Sequence, residues 1–416
     1  MTPTKNAATS ATPTLSPSLR FPQFLADNAW NVVPLNAACQ MQAGRFVQAS
    51  EIHERESHEL YPCFGGNGLR GYTATFTHSG MYPLIGRQGA LCGNVRLEVG
   101  EFHATEHAVV TTARSGVDVV WLYYALSLAN LNQYATGQAQ PGLSVEVLDR
   151  VPIAVPPTER EQHKVAECLS TLDELINAES EKLNTLKTHK QGLMQQLFPR
   201  EGETLPRLRF PEFRDAPEWR TGRASDIAEV HQGYGFPEGE QGKLAGDYPF
   251  YKVSDISRTL AAGSSRVDTA ANYITHETLQ KLKAKVIPTG ATIFAKIGEA
   301  LRLNRRVITT RPCVIDNNTA GVKAIDGQAT DLFLFYIWSQ VSLEDHAGGV
   351  VPAVSKSVIE RIPVNYPEVP EQERIASCIS SLDDSIAAQS HRIRALETHK
   401  RGLMQQLFPA PERVDA

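Results

Sequence analysis

The chain has 416 residues, 42% of them hydrophobic and 21% charged, with a formal net charge of −5. That length allows two to four domains with real cores, and the charge removes any argument for nucleic-acid binding from global basicity. No run approaches eighteen apolar residues, so no membrane-spanning helix is expected.

Residues 1–18, MTPTKNAATSATPTLSPS, carry one Lys and no apolar core, which is not a signal-peptide pattern and reads as a disordered leader. A first domain is expected over 19–153. It opens with LRFPQF (19–24) leading to Trp30, then carries YPCFGGNGLRGY (61–72), PLIGRQGALCGNVR (83–96) and HATEHAVV (103–110). Strand-like runs fall at 95–99 and 107–111 among Gly-rich turns, followed by a helical run at 117–131. A long helix is predicted over 154–199 as a central spacer. The second domain, 200–364, opens with LRFPEF (208–213) leading to Trp219. Its landmarks are QGYGFPEG (232–239), PFYKVSDIS (249–257), TIFAKIGEALRLNRR (292–306), VIDNNTAGV (314–322) and a helical run at 331–341. A second long helix over 365–410 and a short tail, 411–416, complete the chain.

The organising feature is a repeat. HKQGLMQQLFP at 189–199 returns as HKRGLMQQLFP at 399–409, identical at ten of eleven positions. EQHKVAECLSTLDELI (161–176) faces EQERIASCISSLDDSI (371–386) at the same offset. Apolar residues keep 3,4 spacing through Val165, Leu169, Leu172, Ile176, Leu183, Leu186, Leu193 and Leu197. The second copy does so through Ile375, Ile379, Leu382, Ile386, Ile393, Leu396, Leu403 and Leu407. Both skip the same beats, with Glu179 and Lys190 answered by Gln389 and Lys400. A 3.5-residue period held this long predicts a coiled-coil seam, here an antiparallel pair of helices each roughly 60 Å long, with the polar breaks fixing register. Gly192 and Gly402 sit mid-helix, where Gly costs ~1 kcal/mol relative to Ala. Their expected use is close approach of another backbone, from the partner helix or from another subunit.

The fold class expected is α+β: two mixed α/β domains joined by two long helices, as a pseudo-twofold repeat. The six cysteines (Cys39, Cys63, Cys92, Cys168, Cys313, Cys378) form no C-x-x-C pair and have no His at metal spacing. Thiols in a reducing cytoplasm are expected, with no metal and no catalytic residue.

The order of variable domain, long helix, variable domain, long helix resembles the DNA-specificity subunit of type I restriction-modification systems. The local matches are GGNG-x-x-GY at 65–72, GR-x-GALCGNV at 86–95, ATEH at 104–107 and 137–144, with looser ones at 252–256, 315–319 and 348–355. The resemblance implies a subunit without chemistry of its own. It implies two target-recognition domains, each reading one half of a split double-stranded DNA sequence, and paired helices that dock two adenine methyltransferase subunits. S-adenosylmethionine would sit in those partners, and ATP and Mg in motor-nuclease subunits that join the complex; none is expected in this chain. The pseudo-twofold reading puts the half-site centres ~10 bp apart.

Base reading needs Arg or Lys toward guanine and Asn or Gln toward adenine. The first domain has no Lys over 31–150, and seven Arg against ten acidic residues. Its DNA-contact candidates are Asn67, Arg70, Tyr72, Arg87, Asn94, Arg96 and His107, with Gln138 and Gln140 behind them. Gly-Asn-Gly is also a turn signal by itself. Over 220–361 there are seventeen cations against fifteen acids. The candidates there are Tyr234, Lys252, Lys296 (aligned with Arg87), Arg302, Asn304, Arg305, Arg306, Asn317, Asn318 and Lys356.

An enzyme reading finds no motif. The sole Pro-Pro is Pro156-Pro157, so the Asn/Asp-Pro-Pro-aromatic quartet of an adenine methyltransferase is missing, and Gly242-Lys243 lacks the surroundings of a phosphate loop. Two alternatives stay open: a coiled-coil adaptor joining protein-binding modules, and a specificity subunit of a related methylation or restriction system.

Overall fold

A computed structural model describes residues 13–89, 91–137, 141–200 and 202–410. Two compact units divide the chain: 1–178 with 394–416, and 179–393.

In unit 1 the strands are β1 (Thr14–Leu15), β2 (Trp30–Pro34), β3 (Cys39–Ala43), β4 (Tyr61–Gly65), β5 (Gly68–Thr73), β6 (His78–Gly86), β7 (Val95–Ala104), β8 (Ala108–Ala113) and β9 (Pro152–Val155). Three short helices accompany them: α1 (Leu35–Ala38), α2 (Val119–Leu128) and α3 (Val145–Asp149). The long helix α4 (Glu159–Leu197) begins in this unit. A six-stranded sheet runs in the order β3-β8-β6-β7-β4-β5, and β1-β2-β9 form a small one. Within the expected leader, Thr14–Leu15 pairs with Trp30 and Asn31 instead of staying irregular. The physical reason is that β2 would otherwise leave its outer edge unpaired.

Unit 2 carries β10 (Arg220–Arg223), β11 (Ala228–Gln232), β12 (Tyr248–Tyr251), β13 (Arg266–Val267), β14 (Tyr273–Ile274), β15 (Thr292–Ala295), β16 (Arg306–Thr309), β17 (Val314–Ile315), β18 (Thr319–Ala324) and β19 (Pro363–Tyr366). Its helices are α5 (Ala224–Ile227), α6 (Val253–Ala261), α7 (His276–Leu282), α8 (Glu299–Arg302), α9 (Asp331–Gln340), α10 (Lys356–Arg361) and the first part of α11 (Val369–Leu407). The sheets are β11-β18-β15-β16-β13, β14-β12-β17 and β10-β19. Both units are therefore mixed α/β folds, with the long helices at 39 residues each.

The repeated text explains how each unit closes. The buried carboxylate of Glu161 at the start of α4 accepts from Arg20 Nε and Nη2, both at 2.7 Å, and from Trp30 Nε1 at 3.1 Å. Glu371 at the start of α11 accepts from Arg209 Nε at 2.8 Å, Nη2 at 2.7 Å and Trp219 Nε1 at 3.3 Å. The next residue is a buried Gln in both. Gln162 Oε1 accepts from the Asp118 N–H and Gln372 Oε1 from the Thr330 N–H, at the head of α2 and α9. So LRFP…W and the Glu-Gln pair are one device, written twice. The opposite helix ends fill the cores: Phe408 packs on Trp30 and Trp121 in unit 1, Phe198 on Trp219 and Phe333 in unit 2.

Each unit thus holds the first half of one long helix and the last half of the other. In unit 2, Lys190 meets Asp383 at 2.5 Å and Glu179 meets Gln389 at 2.5 Å, so moving back along α4 moves forward along α11. The pairing is antiparallel. Unit 1 has the equivalent Lys400–Asp173 pair. Leu169, Ile379 and Ile393 are buried, whereas Leu172, Ile176, Leu183, Leu186, Leu382, Ile386 and Leu396 are half-buried. Two helices alone cover a seam on one side. The expected close approach at the mid-helix glycines is not made among the described residues, because a Cβ at Gly192 or Gly402 would meet none of them within 4 Å.

Candidate nucleic-acid interface

In unit 1 the β4–β5 hairpin turns through Gly66 and Asn67. Gly68, not Asn67, takes the positive φ (104°), which leaves the Asn67 side chain exposed rather than consumed by turn geometry. The turn is crowded from behind: a Cβ at Gly66 would lie 2.8 Å from the His107 carbonyl, and one at Gly86 2.2 Å from the Gly66 carbonyl. This packing opens a cavity of about 290 Å³ lined by Gly65, Gly66, Asn67, Arg70, Gln88, Gly89 and His107. Arg96 borders the same turn, with Nη1 3.2 Å from where a Gly68 Cβ would stand, and its Nε holds Glu98 at 2.8 Å. The Arg87 backbone N–H donates to the His107 carbonyl at 3.1 Å. Asn67, Arg70, Arg87, Arg96 and His107 are thereby brought to one place. Tyr72 lies farther along β5, half-buried and bridged through its backbone to His53. Asn94 is exposed, and its carbonyl accepts from the Gly86 N–H. Gln138 and Gln140 lie outside the described residues.

Unit 2 builds the corresponding corner from different side chains. Lys296 follows β15, and its N–H donates to the Asn318 carbonyl at 2.9 Å. Tyr234 bridges Asp316. The Asn318 side chain donates to Asp316 Oδ2 at 3.2 Å, and Asn317 is exposed. Lys252 Nζ donates to Gln241 Oε1 at 2.7 Å and lies over the Phe236 ring. Burial lowers the Lys296 ammonium from its usual value, opposed by the Asp316 charge. Lys356 sits at the start of α10, 3.6 Å from Glu360.

The Arg302–Arg306 cluster does not form one basic face. Arg306 is buried. Its Nη2 donates to Asn304 Oδ1 at 2.6 Å, its guanidinium stacks over Phe294, and burial pulls its pKa down to about 9. Asn304 adopts the left-handed conformation (φ 47°) and serves that turn. A guanidinium enclosed in this way cannot reach a base edge, so Arg306 and Asn304 are structural, contrary to expectation. Arg302 is held by Glu299 at 2.7 Å and Glu344 at 3.0 Å. Arg305 remains exposed, donating to Ser257 Oγ at 2.8 Å.

Sequence reading missed an acidic residue at each corner, one position apart in register, since Thr105 rather than Glu106 stands where Asp316 does. Glu106 Oε2 and Asp316 Oδ1 are both buried without a hydrogen-bond partner. Their other oxygens meet the neighbouring candidate: His107 Nε2 lies 3.2 Å from Glu106 Oε1, and Asn318 lies on Asp316. Arg87 Nε and His107 Nδ1 are likewise buried and unpartnered. The signal was present in ATEH and VIDNN, but an isolated acid in a turn carries no periodicity to mark it. Among the described residues no group of His, Cys, Asp or Glu is placed to hold a metal ion, and no helix is long and apolar enough to cross a membrane.

Two mixed units, one presenting a corner of Arg, Asn and His side chains and the other of Lys, Asn and Tyr, together with paired long helices, have the make-up of a DNA-specificity protein. A family model described as type I restriction modification DNA specificity domain matches residues 28–188 and again 217–398; the chain belongs to this family and is a specificity subunit of a type I restriction-modification system. It is 47% identical over 148 residues to the Type I restriction enzyme EcoprrI specificity subunit of Escherichia coli, a match spanning 35% of this chain and 37% of that protein. It is 22% identical over 328 residues to a putative type I restriction enzyme specificity subunit of Haemophilus influenzae, covering 77% of this chain and 80% of that one. The fold is that of the type I restriction-modification S subunit from M. genitalium, with a TM-score of 0.64 at 15% identity over 95% of this chain and 100% of that one.

Proposed function

We propose that each unit reads one half of a split double-stranded DNA target. In unit 1 the readers are Asn67, Arg70, Arg96 and His107, with Arg87 beneath them. In unit 2 they are Lys296, Asn317, Asn318, Tyr234 and Lys252, with Arg305 and Lys356 at the margin. The carrying observation is one framework with changed lettering: the Arg87 N–H donates to the His107 carbonyl as the Lys296 N–H does to the Asn318 carbonyl, so Arg87 and His107 stand where Lys296 and Asn318 stand. Hydrogen-bonding side chains that differ at matched places are what two different half-sites need.

The chain itself is non-catalytic in this reading. Two adenine methyltransferase subunits dock on the helix pair and bring S-adenosylmethionine. Motor-nuclease subunits bring ATP and Mg, and the complex acts in the cytoplasm. Support for a partner bound twice comes from residues that are exposed yet identical in both copies: His189, Gln195 and Gln196, matched by His399, Gln405 and Gln406. Exposed positions have no packing reason to stay alike when the rest has diverged.

Methylome sequencing of cells carrying this chain with its neighbouring methyltransferase tests the reading. A split sequence with methyladenine in each half is expected. Methylation without any sequence preference sinks it.

A further inference from the structure

We propose that the loop 348–354 of unit 2 carries a thymine reader: Val350 and Val351 contact the 5-methyl group of thymine in the major groove of one half-site. The inference rests on unit 2 reading DNA, and adds which chemistry it recognises.

The loop is anchored, not loose. Gly348 and Ala353 exchange backbone hydrogen bonds at 3.2 Å, and Gly349 makes the reversal with φ at 91°. The Val354 N–H donates to the Lys296 carbonyl at 3.0 Å, and the Gly298 N–H to the Pro352 carbonyl at 2.8 Å. The tip is therefore clamped to the same segment that presents Lys296. On it, Val350 is 105% exposed and Val351 61%. Nothing in the unit's own core uses these two isopropyl groups.

The equivalent loop of unit 1 has a similar clamp, closing on one residue more. Thr136 and Gly142 exchange backbone hydrogen bonds at 2.9 Å, and the Leu143 N–H donates to the Arg87 carbonyl at 2.9 Å. Its sequence is GQAQPGLS where unit 2 has GGVVPAVS, so one loop carries two glutamines, Gln138 and Gln140, and the other two valines. An amide can pair with an adenine edge, whereas an isopropyl group can recognise one apolar feature of a base edge, the thymine methyl. The shared framework and the exchange of amide for isopropyl point to DNA rather than to a protein partner, which would have no reason to follow the reading corner.

The test uses the full chain with its methyltransferase and the target duplex found by methylome sequencing. Each thymine is replaced in turn by deoxyuridine, which removes the methyl and leaves pairing intact. The expected result is about four-fold weaker binding for each methyl contacted, the factor set by burying one such group. The effect should be confined to one half-site and lost in a chain carrying Val350→Ser and Val351→Ser. Uracil tolerated everywhere by a complex that still selects its target overturns the loop assignment alone. So does an unchanged uracil effect in the serine variant. If the complex fails to select the natural duplex, DNA reading by the units falls, and this inference with it.

Discussion

Lys190 and Asp383 pair at 2.5 Å across the helix pair of unit 2, and the second oxygen of Asp383 accepts the Tyr336 hydroxyl at 2.8 Å. Unit 1 repeats the triad as Lys400, Asp173 and Tyr124. The skipped beat of the heptad is thus a lock that ties α11 to α4 and both to the globular helix α9, with its equivalent at α2. Burial first, and then the Asp383 carboxylate, pushes the Tyr336 phenol well above its ordinary value. Asp383→Ala should destabilise the protein by ~1–3 kcal/mol, because it strips a half-buried ammonium and a hydroxyl of their acceptor at once. Tyr336→Phe should cost about 1 kcal/mol. Denaturant midpoints check both, and a larger loss for Tyr336→Phe than for Asp383→Ala would dissolve the triad into separate contacts.

The buried Glu179 takes Gln389 Nε2 at 2.5 Å and Arg392 Nη2 at 2.8 Å. Gln389→Leu should be worse than Glu179→Gln, since it leaves a buried charge with a lost donor, at a cost of ~1–3 kcal/mol. Thermal melting of the two variants settles the order.

Gly192→Leu and Gly402→Leu should leave the fold intact or slightly stabilised, by up to ~1 kcal/mol, because the sites are empty and Gly is a poor helix former. Each should nevertheless remove one methyltransferase from the complex, and both together should remove two. Native mass spectrometry gives the stoichiometry directly; an unchanged mass rules out the glycine faces as docking surfaces.

Arg70→Ala and Arg305→Ala should each weaken discrimination at one half-site by ~1–3 kcal/mol, and at different halves. Competition binding against single-base variants of the target distinguishes this from a uniform loss, which would mark a phosphate contact.

Burial raises the Asp316 carboxyl above its usual value, against hydrogen bonds from Asn318 and Thr319. A raised folded-state value means the proton is held more tightly in the native protein. The favourable contribution is complete below the unfolded value and disappears as pH rises through the folded one. Asp316→Asn should therefore match the natural chain at about pH 4 and melt higher at about pH 8. A constant difference across that range refutes the burial cost.

The sequence by itself determined the duplication, the presence and antiparallel preference of α4 and α11, the polar beats in their seam, and the family; the helices expected from 154 and 365 begin at 159 and 369, because the residues before them pair as β9 and β19. Those features are periodic or repeated, so each residue is read against many others. It also marked α2 and α9 as helical and the runs at 95–99 and 107–111 as strands. Tertiary structure alone decided which cations face outward. Arg305 and Arg306 are adjacent in sequence, yet Arg306 heads β16, where alternate side chains point to opposite faces, and is drawn under Phe294. It alone showed that Glu161 and Glu371 are tied to an arginine 141 and 162 residues earlier, and that Glu106 and Asp316 lie beneath the reading corners. Pairings so distant along the chain leave no local pattern. They are fixed when a charge leaving water must find its partner wherever the fold delivers one.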